Sequence, residues 1–103
     1  MSDSRLIYIK IILILLVISE AEKNNIPSLK SEALFFMGTY YLKIKNYKSA
    51  IESLTEARKL NCNEQTACTI LQNLGQIHQK LGEIELAEKD YLELIELETK
   101  KSS

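Results

Sequence analysis

The stretch LFFMGTYYLKIKNYKSAIESLTEA, Leu34 to Ala57, is followed 37 residues later by LQNLGQIHQKLGEIELAEKDYLEL, Leu71 to Leu94. At that offset Leu34 falls on Leu71, Met37 on Leu74, Gly38 on Gly75, Lys43 on Lys80, Ala50 on Ala87 and Leu60 on Leu97. Two copies of one helix-turn-helix unit account for all these coincidences together, whereas a single four-helix bundle requires none of them.

The period inside each copy is helical. Tyr47, Ala50, Ile51, Leu54, Ala57 and Leu60 recur at spacings of three and four, which places them on one helix face. The same spacing unites Ile70, Leu71, Leu74, Ile77, His78 and Leu81 in one helix and Ile84, Ala87, Tyr91, Leu94 and Leu97 in the next. Punctuation divides these helices. Pro27, in NNIP, starts a helix and disfavours helix in the residue before it. Lys45-Asn46 and NCNEQ interrupt the pattern, and Gly82 stops the third amphipathic helix. After residue 24 no period-two alternation competes. Connections this short make the helices antiparallel neighbours. Gly38 and Gly75 sit mid-helix, where glycine costs about 1 kcal/mol against alanine, so each is expected to let a neighbouring helix approach, with Ala50 and Ala87 as the small residues that meet them.

Leu34, Met37, Gly38, Tyr41, Ala50, Leu54 and Ala57 in the first copy, and Leu71, Leu74, Gly75, His78, Ala87, Tyr91 and Leu94 in the second, follow a W-x2-L-G-x2-Y...A-x3-F pattern. In this the chain resembles the tetratricopeptide repeat family over residues 31 to 100, with Gly82 at the family's turn glycine. There are departures. No Trp is present, Cys62 stands where a proline is usual, His78 replaces an expected Tyr, and the period exceeds the family's by three residues. The resemblance implies an all-α fold, a short right-handed α-solenoid of antiparallel helix pairs with five helices: an apolar helix over 1–24, repeats over 28–62 and 65–100, and a polar tail at 101–103.

The resemblance also implies a role. Repeat arrays of this family are non-enzymatic scaffolds whose first helices line a concave groove for a peptide or helix of another protein. Here that groove is expected to be lined by Phe35, Phe36, Thr39, Leu42 and Lys43, with Glu32, in the first repeat. The second contributes Gln72, Asn73, Gln76, Gln79 and Lys80, with Thr69. One half is aromatic and apolar and the other rich in amides, suited to an aromatic contact at one end of a ligand and backbone hydrogen bonds at the other. A family subtype clamps a C-terminal carboxylate, but Phe35 and Thr39 occupy the places of its Lys and Asn. Only Asn73 fits, so chaperone-tail binding is disfavoured.

Composition narrows the field further. The chain has 103 residues, 46% apolar and 26% charged, with a net charge of −1, as expected for one small ordered domain. Residues 1–50 carry seven basic and four acidic side chains, and residues 51–103 six and ten. With lysines scattered and no basic stripe, nucleic acid is not expected as a partner. Cys62 and Cys68 with the distant His78 are too few for a structural zinc site, so no metal, cofactor or disulfide is expected. His78 reads as a core histidine satisfied by one hydrogen bond. No nucleophile elbow, phosphate loop or catalytic carboxylate motif points to an enzyme.

RLIYIKIILILLVISEA, Arg5 to Ala21, is the most apolar run. Its core, Leu6 to Ile18, would form a helix about 20 Å long, short of the roughly 30 Å of bilayer hydrocarbon. Lys10 inside it costs about 2.5–3.5 kcal/mol on insertion scales. Arg5 and Lys10 ahead of Ile11–Ile18, with Ser19-Glu20-Ala21 after, also resemble a signal peptide, although Asp3 dilutes the positive start. The favoured reading is a fifth helix covering the open flank of the first repeat around Leu34, Tyr41 and Phe35-Phe36, with its other side packed by a partner or by a second copy of the chain. Cytoplasmic residence follows from it. Export or membrane association through residues 5–21 is the alternative.

Overall fold

The turns set the architecture. In the computed structural model, which describes the backbone of residues 2–60 and 63–102 and the side chains of 5–60 and 63–100, three connections share one geometry. Asn25 (φ 54°), Lys45 (φ 61°) and Gly82 (φ 78°) each adopt the left-handed conformation just beyond a helix. In each, the next residue's N–H reaches back to a carbonyl five positions earlier: Ile26 to Ala21, Asn46 to Tyr41, Glu83 to His78, at 2.9, 2.9 and 2.8 Å. This Schellman closure satisfies carbonyls that a helix end otherwise leaves open, and it reverses the chain in three residues.

The helices are α1 (Ser2–Lys23), α2 (Pro27–Lys43), α3 (Tyr47–Lys59), α4 (Glu64–Lys80) and α5 (Ile84–Ser102). No strand occurs among the described residues. Pro27 begins α2 as expected. Asn46 and Asn63 cap α3 and α4, their side-chain oxygens accepting from Ser49 and Thr66 N–H at 3.4 and 2.7 Å. α5 runs on to Ser102, into the stretch expected as a polar tail, because no Gly or Pro stops it. Cys62, and with it the replaced proline and any Cys62–Cys68 bridge, lies outside the described residues; Cys68 is buried.

Two compact units result, residues 1–62 and 63–103. In the first, α2 packs on α3 and α1 packs on α2; in the second, α4 packs on α5. Leu34, Met37, Ala50, Leu54 and Ala57 are buried in the first, and Ile70, Leu71, Leu74, Ile77 and Ala87 in the second. Two anticipated core residues are exposed instead. Leu81 caps α4 and Ile84 opens α5, so both sit at the turn where the helices diverge.

The glycines do admit the neighbouring helix, but other residues than those expected meet them. A Cβ on Gly38 would lie 2.6 Å from Leu54 Cγ, and one on Gly75 2.6 Å from the Tyr91 ring. Leu54 and Tyr91, one turn beyond Ala50 and Ala87, fill the notches. The glycines therefore admit large side chains across the seam; the alanines are not what meets them. Ser31 adds a cross-seam link in the first unit, its buried hydroxyl donating to the Ala57 carbonyl at 2.8 Å. Lys30 bridges all three helices of that unit, with its ammonium 2.8 Å from Glu22 of α1 and 3.5 Å from Glu56 of α3.

Candidate functional site

Within the first unit α2 lies against α1 and α3, which leaves one side of it open. Glu32, Phe36 and Lys43 are exposed there, and Thr39 is half-buried between them. They stand at spacings of three and four, the condition for a continuous stripe. Phe36 is 45% exposed, so α1 covers the flank only in part. Phe35 and Leu42 border the stripe and are half-buried; the two phenyl rings tilt together at 5.5 Å. The Thr39 hydroxyl donates to the Phe36 carbonyl at 2.8 Å, which occupies its proton.

α4 carries the matching positions at the same offset. Gln72, Gln76, Gln79 and Lys80 are exposed, while Thr69 and Asn73 are half-buried. Two of these polar groups are engaged. Thr69 donates to the Gln65 carbonyl at 3.1 Å, and the Gln79 side-chain oxygen accepts from the Tyr91 hydroxyl at 3.4 Å. Eight of the ten expected residues thus lie on the open side of α2 or of α4, and Phe35 and Leu42 lie at the border of the α2 stripe.

That repeating register is the family's own. The model of the tetratricopeptide repeat matches residues 31–61 and 69–101, most of the chain after α1. The chain belongs to the tetratricopeptide repeat family. Tetratricopeptide repeats generally mediate protein–protein interaction and are typically non-enzymatic modules. Comparison with curated proteins and with solved structures gave no significant match. Among the described residues no helix is long and apolar enough to cross a membrane.

His78 is where this chain departs most visibly from the tetratricopeptide pattern. It is 9% exposed, and its Nδ1–H donates to the Asp90 carboxylate of α5 at 2.6 Å, a satisfying hydrogen bond of the kind expected of it. The contact locks the ring's tautomer and ties α4 to α5. In the first repeat the equivalent positions are Tyr41 and Ser53.

Three further features lie mainly outside the residues expected to form the site. The Tyr40 ring receives two ammonium groups, Lys10 of α1 and Lys43 of α2, each 5.4 Å from its centroid. This cation–π pair turns Lys10 toward α2. Second, Gln79, Ile84, Ala87, Glu88, Tyr91, Leu92 and Ile95 line an apolar hollow of about 290 Å³ on the second unit. The spacing of 84, 88, 91, 92 and 95 carries that signal, but the core stripe claims Ile84 and Tyr91 first. Third, among its described side chains α1 buries only Ile11, Ile18 and Ala21 and leaves Leu6, Tyr8, Ile9, Ile12, Leu13, Leu15, Leu16 and Val17 between 39% and 61% exposed.

Proposed function

We propose that this protein is a non-enzymatic interaction scaffold that takes a peptide or helix of a partner protein against the open sides of α2 and α4. The observation that carries the reading is the shared register. Glu32, Phe36, Thr39 and Lys43 recur as Thr69, Asn73, Gln76 and Lys80, all of them on the side of their helix that is not buried. Phe36 offers an apolar anchor of the kind that carries binding energy in protein interfaces, and the amides of α4 offer donors and acceptors to a ligand backbone. The protein acts in the cytoplasm, where two thiols stay reduced.

Phe36→Glu and Gln76→Ala test this. Both side chains are exposed, so helicity is retained. Proteins captured from a native extract by the wild-type chain should be lost with F36E and weakened with Q76A. Unchanged recovery of the same proteins by both variants overturns the reading.

A second reading is favoured by one observation. Eight large apolar side chains stand exposed on α1, more than scattered surface hydrophobics explain. This suits a subunit that associates with itself through α1.

A further inference from the structure

Beyond hydrophobicity, the open face of α1 has an order. Arg5, Ile9, Ile12, Leu13, Leu16 and Glu20 follow one another at helical spacing, along the side opposite the buried Ile11 and Ile18. Arg5 and Glu20 are both exposed. Between them the stripe carries no charge, because Lys10 lies toward Tyr40 of α2. A basic residue closes the stripe at one end and an acidic residue at the other, equally distant from the midpoint between Ile12 and Leu13.

That pattern is self-complementary. We propose that a second copy of this chain covers the face, the two α1 helices running antiparallel about a twofold axis between Ile12 and Leu13. The proposal rests on the self-association reading above and adds its geometry. In this register Ile9 of one copy meets Leu16 of the other, Ile12 meets Leu13, and Arg5 meets Glu20 at both ends. A closed dimer with one isologous interface follows.

Two alternatives fit less well. A parallel pair would set Arg5 against Arg5 and Glu20 against Glu20, and would align rather than oppose the helix dipoles. A lipid surface gives no role to Glu20 at the end of the stripe. The exposed apolar side chains amount to several hundred Å² per copy, against roughly 800 Å² per partner in a standard interface. Contacts flanking α1 would supply the remainder.

The full chain should show twice its 11.8 kDa mass in sedimentation and light scattering across about 1 to 100 μM, a range that resolves micromolar affinity. Leu13→Glu, at the axis and away from α2, should give a helical monomer. Arg5→Glu or Glu20→Arg alone should weaken the dimer by about three- to tenfold, and R5E/E20R together should restore it. With both native cysteines replaced by alanine and helicity checked, I9C mixed with L16C should cross-link, while neither does alone.

A wild-type chain that stays monomeric throughout removes the self-association reading, and this inference with it. Monomer that co-sediments with neutral phosphatidylcholine vesicles, and loses that binding with L13E, assigns the face to lipid and likewise overturns it. A dimer that R5E/E20R fails to restore, or that cross-links through I9C alone, overturns the antiparallel register and leaves self-association standing.

Discussion

In the first repeat Gly38 accommodates Leu54, an aliphatic side chain with no exposure, whereas at the same place in the second Gly75 accommodates the half-buried ring of Tyr91. Beside them the first repeat has Tyr41 and Ser53 where the second has His78 bonded to Asp90. Ser31, which links α2 to α3, is matched by Cys68. One backbone scheme is thus held by aliphatic packing and a neutral hydroxyl in one copy, and by an aromatic ring and a carboxylate–imidazole contact in the other. Such a scheme constrains the volume at the seam and the handedness of the turn. The chemistry that fills it is left free.

The largest expected effect lies in the second repeat. Asp90→Ala leaves the His78 N–H buried without its acceptor and should cost about 2 kcal/mol in urea unfolding. H78Y/D90S, which writes the first repeat's pair into the second, should recover most of that loss. A double variant as unstable as D90A would show that the repeats are not interchangeable at this position.

Next come the glycines. Ala at position 38 gains about 1 kcal/mol of helix propensity but collides with a side chain that has nowhere to go, an overpacking cost of about 1–3 kcal/mol. Gly38→Ala should therefore be destabilising by about 1 kcal/mol. Gly75→Ala meets a ring that can swing toward solvent, so its two contributions should cancel to within about 0.5 kcal/mol. Equal melting shifts for the two variants would break the comparison.

The turns give a smaller contrast. A Cβ on Gly82 would have no neighbour within 4 Å, so Gly82→Ala should cost only the left-handed backbone strain of about 1 kcal/mol. Lys45→Gly relieves that strain in the first repeat and should stabilise it by a fraction of the same amount, offset by unfolded-chain entropy. Thermal unfolding of the pair reads opposite signs.

The smallest effect is electrostatic and confined to the first unit. The hydrogen-bonded Glu22 carboxylate, with Glu56 beyond it, raises the Lys30 pKa above its ordinary value. A raised pKa means a contribution fully present below the unfolded value and lost as pH rises through the folded one. Wild type and Lys30→Met should differ slightly near neutral pH, less so in high salt, and converge above the lysine range of about 10.4. A gap that persists there would assign the role of Lys30 to its alkyl stem.

Much of the fold was legible because its determinants are local. Helical spacing, Pro27 and Gly82 each act within a few residues, the offset between copies repeats those local signals, and the structure returns five helices among the described residues. The residues expected to line a groove could be placed at helix positions that stay exposed or half-buried for the same reason, since register follows from period. The seam contacts were less legible. Which side chain enters a glycine notch depends on the crossing of two helices, so by spacing alone Ala50 and Ala87 are as suitable as Leu54 and Tyr91. Leu81 and Ile84 have the right spacing for a core and lie where no partner helix reaches. Lys43 stands one turn from Tyr40 on α2, but Lys10 comes from α1, too far away in sequence to announce that it shares the ring.

By itself, then, the sequence determined the helices, their turns, the repeat and the family, because each rests on short-range steric and periodic rules. The tertiary structure decided which apolar faces are covered and which remain open. Leu6 to Ile18 is uniformly apolar as a string apart from Lys10, and only packing against α2 separates the buried Ile11 and Ile18 from the open stripe that Arg5 and Glu20 close at either end. Hydrophobicity is a property of residues; burial belongs to pairs of surfaces, and the second surface is not written beside the first.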